Sequence, residues 1–105
     1  MGRSKTLIEK LREFKADASR SFSIEKMIWF GSRAKGRSHK WSDIDLIVVS
    51  GSFRRVRPLN RGLALYDHWR LNYPVDFLCY TPEEFSRAKK RVSLASEAAK
   101  NGITI

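Results

Sequence analysis

With 105 residues, 42% hydrophobic and 11% aromatic, the chain is sized for one domain with a modest core, and its composition excludes general disorder. Its 21 Lys and Arg residues against 11 Asp and Glu give a net charge of +10, which favours an anionic partner without choosing between nucleotide, nucleic acid and an acidic protein face. No apolar run approaches the ~20 residues of a membrane helix, residues 1–13 lack the apolar centre of a signal peptide, and Cys79 stands alone, so a reducing, cytoplasmic setting is expected.

In chain order, Leu7, Ile8, Leu11 and Phe14 recur at helical spacing and predict an amphipathic helix over roughly 3–19. Three apolar-rich runs, 26–30, 45–50 and 76–80, read as strands, the first two apolar on both faces as in a covered sheet. Leu59, Leu63, Tyr66 and Trp69 form a second helical stripe within 58–72, ended by Asn72-Tyr73-Pro74 because the residue before proline is pushed out of the helical region. Thr81-Pro82-Glu83-Glu84 has the form of a capping box with proline at the first helical position, and Tyr80 and Phe85 sit where a hydrophobic staple would join. That helix is expected to reach about Arg91, with a further helix ending at Asn101-Gly102 and Ile103-Thr104-Ile105 as a last short strand or tail. The order α-β-α-β-α-β-α, without repeat or linker, predicts one α/β (α+β) domain over 1–105, a small mixed sheet with helices packed against it.

Chemistry concentrates in residues 31–46, GSRAKGRSHKWSDIDL. Asp43 and Asp45 at i and i+2 on a strand point to one face, with Cα atoms ~6.6 Å apart, while Ile44 and Leu46 face the packed side. Two carboxylates side by side repel, and a hard divalent cation relieves that; Mg²⁺ typically binds through one or two carboxylates plus substrate phosphates. The bland reading is a solvated strand end whose aspartates blunt an edge. Gly31-Ser32 follows a buried strand and reads either as an ordinary turn capping a helix or as a set of free N–H groups open to phosphate, and Gly36 permits another tight turn. Asp76 opens the third strand. If that strand lies beside the second, three carboxylates converge and the third can take a proton from an attacking hydroxyl, two metals ~3.5–4 Å apart stabilising the entering and leaving oxygens.

The joint string G-S-R-A-x-G-x5-S-D-I-D-L, carried by Gly31, Ser32, Arg33, Ala34, Gly36, Ser42, Asp43, Ile44, Asp45 and Leu46, resembles the minimal nucleotidyltransferase family of the DNA polymerase β-like nucleotidyltransferase superfamily, and Val75-Asp76-Phe77-Leu78 resembles its third-carboxylate strand. The resemblance runs from about residue 5 onward. It implies a nucleotidyltransferase-like fold and transfer of a nucleoside monophosphate from an NTP, usually ATP, to a hydroxyl, with release of pyrophosphate. It further implies Asp43, Asp45 and Asp76 as catalytic residues and Mg²⁺ ligands, two ions being expected, with Asp76 as base. Gly31, Ser32, Arg33 and Ser42 would bind the nucleotide. With no room for an acceptor-binding domain, the chain is similar to the antitoxins that pair with a small helical HEPN-type toxin, some of which adenylylate a tyrosine on it; the expected acceptor is therefore a side chain of such a partner.

The remaining polar residues take plainer readings. Arg33, Lys35, Arg37, His39 and Lys40 make a basic rim, and Arg54, Arg55, Arg57 and Arg61 a second basic run facing solvent or a partner. Trp41 covers a core edge, His39 and His68 lack neighbours at zinc-ligand spacing, and Cys79 is an inert core residue. The competing class is a non-catalytic nucleic-acid-binding module, supported by charge but lacking an RNA-recognition aromatic signature, zinc-finger spacing or helix-turn-helix; a third is an antitoxin acting by binding alone.

Overall fold

The computed structural model describes residues 5–31, 33–36 and 43–105. Its elements are α1 (Leu7–Ala18), β1 (Ile24–Phe30), β2 (Ile44–Ser50), a 3-10 turn (Gly51–Arg55), α2 (Pro58–Tyr66), β3 (Val75–Tyr80), α3 (Pro82–Lys89), α4 (Leu94–Asn101) and β4 (Ile103–Thr104). The strands form one mixed sheet in the order β3-β2-β1-β4. β1 runs antiparallel to both β2 and β4, and β3 is parallel to β2. Parallel neighbours need a long crossover, which the 3-10 turn and α2 supply.

The fold is α+β rather than a strict alternation. The helix expected between the first two strands is not seen among the described residues, where 33–36 form a turn. The antiparallel pairing of β1 and β2 requires only a connection that reverses direction.

Strand alternation divides the core in two. Met27, Trp29, Ile44, Leu46, Val48 and Val75 face Leu11, Phe14 and Ala18 of α1, Phe53, and Leu65 of α2. On the opposite face Ile28, Ile47 and Val49 pack against Phe85 and Ala88 of α3 and Ala95 and Ala98 of α4. Helix boundaries follow their side-chain signals. Thr6 caps α1 by accepting from the Glu9 N–H. The capping box of α3 forms as its sequence requires, Thr81 accepting from the Glu84 N–H while the Glu84 carboxylate accepts from the Thr81 N–H. The Tyr80 and Phe85 rings meet at 5.8 Å. At Gly102 the N–H donates to Ala98 O and ends α4, and the chain continues into β4.

Helix α2 departs from expectation in length and in orientation. It stops at Tyr66, and Trp69 reaches the core from the following loop, its indole N–H donating to Tyr73 O at 3.0 Å and its ring edge-on to Phe14 at 5.0 Å. The Leu59–Leu63–Tyr66 stripe is exposed, while Arg61 and Leu65 are the buried residues of the helix. The face that meets β3 is the one bearing Arg61 and Leu65, with Gly62 at its side, where a Cβ would make ordinary contact with Phe77 Cβ at 3.8 Å. Arg61, assigned above to a solvent-facing basic run, is instead 5% exposed. Among the described residues no helix is long and apolar enough to cross a membrane.

Candidate active site

Parallel pairing sets Asp45 directly beside Asp76. Residues at these positions fall on the α3–α4 face of the sheet, in line with Ile47 and Val49 on β2 and with Leu78 and Tyr80 on β3. Below Asp45 and Asp76 along the strands, α3 and α4 cover the sheet. At the strand starts a cleft of about 350 Å³ remains, lined by Phe30, Gly31, Asp45, Asp76, Phe77, Leu78, Leu94 and Glu97. Its polarity comes from the carboxylates, and its walls are the apolar ends of β1, β3 and α4.

Asp43 lies just before β2 and is exposed. It acts on the same spot: burial pushes the Asp45 carboxyl above the ordinary range, and the negative charges of Asp76 and Asp43 push it further. Three carboxylates thus share one electrostatic neighbourhood. Among the described residues no group of three or more His, Cys, Asp and Glu side chains is gathered closely enough to hold a metal ion by itself. The in-register pair nevertheless fits Mg²⁺, which takes one or two carboxylates and fills its remaining positions with water and substrate oxygens.

Gly31 forms the wall opposite. Its φ of +86° is a left-handed conformation that side chains rarely adopt, and a Cβ would collide with Asp45 Oδ2 and lie 3.3 Å from its carboxyl carbon. Glycine therefore serves both the turn and the close approach of backbone to carboxylate. The turn continues with Lys35 N–H donating to Gly31 O and Gly36 N–H to Arg33 O, both at 3.2 Å, and Gly36 also takes a positive φ, +74°.

The other expected residues divide. Ser32 and Ser42, with Arg37, His39, Lys40 and Trp41, lie outside the described residues. Arg33 does not line the cleft; its guanidinium sits 4.9 Å above the Tyr73 ring. Lys35, read above as part of a solvated rim, pairs with Glu97 at 3.1 Å and ties the glycine turn to α4. Glu97 and Leu94 belong to the cleft without any local signal in the sequence, because only the packing of α4 on the sheet brings them there. Burial pushes the Cys79 thiol up to about 12, so it stays protonated and unreactive. His68 Nδ1 lies 2.8 Å from Asp17 Oδ2, remote in sequence from any thiol or second imidazole.

A four-stranded mixed sheet flanked by helices, with carboxylates and a glycine turn at one end, has a nucleotidyltransferase-like fold. The model of the nucleotidyltransferase domain family matches residues 9–101, and the chain belongs to that family. Its structure is similar to that of a "putative nucleotidyltransferase" from Sulfolobus solfataricus solved at 1.40 Å, with 29% identity and a TM-score of 0.56 over 83% of this chain and 84% of that one. No curated protein matches the sequence.

Proposed function

We propose that this nucleotidyltransferase moves AMP from ATP to a hydroxyl on a partner protein, a HEPN-type helical toxin, and so acts as an antitoxin. The observation that carries the reading is the in-register Asp45–Asp76 pair, facing a glycine turn that admits no side chain, in a chain of this family. Repulsive carboxylates left side by side are a cost to the fold that a cation-bound substrate removes.

Asp43, Asp45 and Asp76 would hold Mg²⁺, two ions in the full site, and the metal would neutralise triphosphate charge as it builds on the leaving group. Gly31 and Ser32 would offer backbone and hydroxyl donors to the triphosphate, with Ser42 as a further nucleotide contact, while Arg33, over the Tyr73 ring, is left out of the site. Asp76, exposed at the mouth, accepts the proton of the attacking hydroxyl. The hydroxyl oxygen bonds to the α-phosphorus, the bond from that phosphorus to the bridging oxygen breaks, and pyrophosphate departs. The lone cysteine and the ATP requirement suit the cytoplasm.

The test is label transfer from ATP labelled at the α-phosphate, with Mg²⁺ and lysate of the source cell, comparing wild type with Asp43→Asn. A labelled polypeptide that disappears with Asp43→Asn or with EDTA supports the reading, and its mass identifies the acceptor. No label, together with equal capture of the partner by both proteins, overturns it in favour of an antitoxin that works by binding. Steep loss of nucleic-acid binding with salt, indifferent to EDTA, would mark backbone recognition instead.

A further inference from the structure

Helix α2 turns outward an apolar stripe that the described residues leave largely uncovered, with only Tyr66 held from within, its ring edge-on to Phe77 at 5.1 Å. Leu59 is 92% exposed, Leu63 66% and Tyr66 47%, and their i, i+4, i+7 spacing places them on one stripe ~10 Å long. Arg55 and Arg57 stand exposed where the helix begins; among the described residues neither enters an ion pair. At the other end the Tyr66 hydroxyl donates to Val75 O at 2.6 Å, the residue before Asp76. The stripe therefore runs from a basic end to the start of the strand that bears a cleft carboxylate.

The neighbouring sheet edge is not the attraction. β3 is an edge strand, but two of its outward carbonyls are occupied, Val75 O by Tyr66 and Cys79 O by Arg61 at 3.3 Å. Strand addition is thereby discouraged, and recognition falls to the helix face, in the helix-in-groove manner, with Leu59 and Leu63 as anchors and the exposed edge of Tyr66 beside them.

The geometry points to the outer face of α2 as a docking surface for an acidic amphipathic helix of a partner protein. Charge complementarity selects that occupant. A second copy would bring a like net charge of +10 and the same arginines. Nucleic acid would leave three apolar side chains unused, since phosphate contacts need none. An anionic membrane would meet a nine-residue helix that also exposes Asn60 and is followed by exposed Asp67. A helix with leucines along one face and glutamates beside them satisfies both the stripe and Arg55 and Arg57. Docked there, a partner protein has one end of its contact at the start of β3, on the sheet face opposite the Asp76 side chain. The inference rests on the proposed function only in taking the acceptor to be a protein.

The probe is a designed, fluorescein-labelled helical peptide with leucines at alternating third and fourth positions and glutamate elsewhere, titrated with the full chain without nucleotide. Anisotropy should report saturable binding that weakens about tenfold or more in Leu59→Glu/Leu63→Glu. Arg55→Glu/Arg57→Glu should weaken it also, with loss of salt dependence. Val92→Glu, at an exposed apolar residue elsewhere, and Asp45→Asn should bind as wild type does. Circular dichroism of each variant checks the fold. Absent binding, or equal binding by Leu59→Glu/Leu63→Glu, overturns the inference. So does wild-type self-association that this double variant abolishes, or equally tight, stripe-dependent binding of phosphatidylglycerol vesicles. Failure of label transfer with peptide binding intact would reject the proposed function and leave the docking surface standing.

Discussion

The two ends of β3 hold opposite kinds of charge arrangement. At its start, Asp45 and Asp76 lie side by side with like charge, and Asp45 is pushed away from ionisation. At its end, Arg61 donates to Glu84 Oε1 at 2.6 Å, to Val56 O at 3.0 Å and to Cys79 O at 3.3 Å. Glu84 also closes the capping box of α3. The Arg61 hydrogen bond holds the Glu84 carboxyl below its ordinary value, against the opposing effect of burial, with the Thr81 N–H helping. One end is saturated and ties α2 to α3 around the sheet edge; the other is unsaturated and opens into a cleft. Charge that the fold completes is structural, and charge that it leaves uncompleted is available to a ligand.

Breaking the saturated end should have the largest effect on stability. Arg61→Ala leaves Val56 O and Cys79 O without its guanidinium and the Glu84 carboxylate with only the Thr81 N–H, and is expected to lower unfolding free energy by about 3 kcal/mol, read by urea denaturation. Gly31→Ala comes next. Its positive φ and the collision with Asp45 should cost ~2 kcal/mol and displace the turn, so label transfer should fall much further than stability does.

Relieving the unsaturated end should act in the other direction. In EDTA, Asp45→Asn removes a like-charge pair and is expected to raise stability by on the order of 0.5 kcal/mol while abolishing transfer. A variant less stable than wild type would show that the pair is already compensated within the fold. The smallest effect is in pH. Because Glu84 is depressed from its ordinary 4.5, its contribution is complete above that value and is lost as pH falls through the folded-state value. The stability gap between wild type and Glu84→Gln should therefore be constant near neutrality and close in acid below about 4.5; a gap that persists there would mean the carboxylate's charge is not what Arg61 binds.

Much of this was legible along the chain. Thr81, Pro82 and Glu84 announced α3, the apolar runs found three strands to within two residues at either end, and Gly31, Asp43, Asp45 and Asp76 were singled out by residue type and spacing. These are local signals: a cap is satisfied within three residues, a strand's alternation within five, and a turn's glycine by its own φ. What the local pattern misjudged was α2. A helical stripe says that one face is apolar, not that the face is covered, and α2 turns the side bearing Arg61 and Leu65 inward. Arg61 was consequently read as a surface charge, and its partner Glu84 only as a cap.

The sequence by itself determined the α+β class and most element types, which follow from backbone preference and side-chain periodicity, and it marked Gly31, Asp43, Asp45 and Asp76 as candidates by residue type and motif spacing. Tertiary structure decided that β2 and β3 run parallel with Asp45 level with Asp76, that Glu97 and Leu94 wall the cleft, and that the α2 stripe faces outward. Each of these depends on register and close approach between different elements of the chain, over which a local pattern carries no geometry.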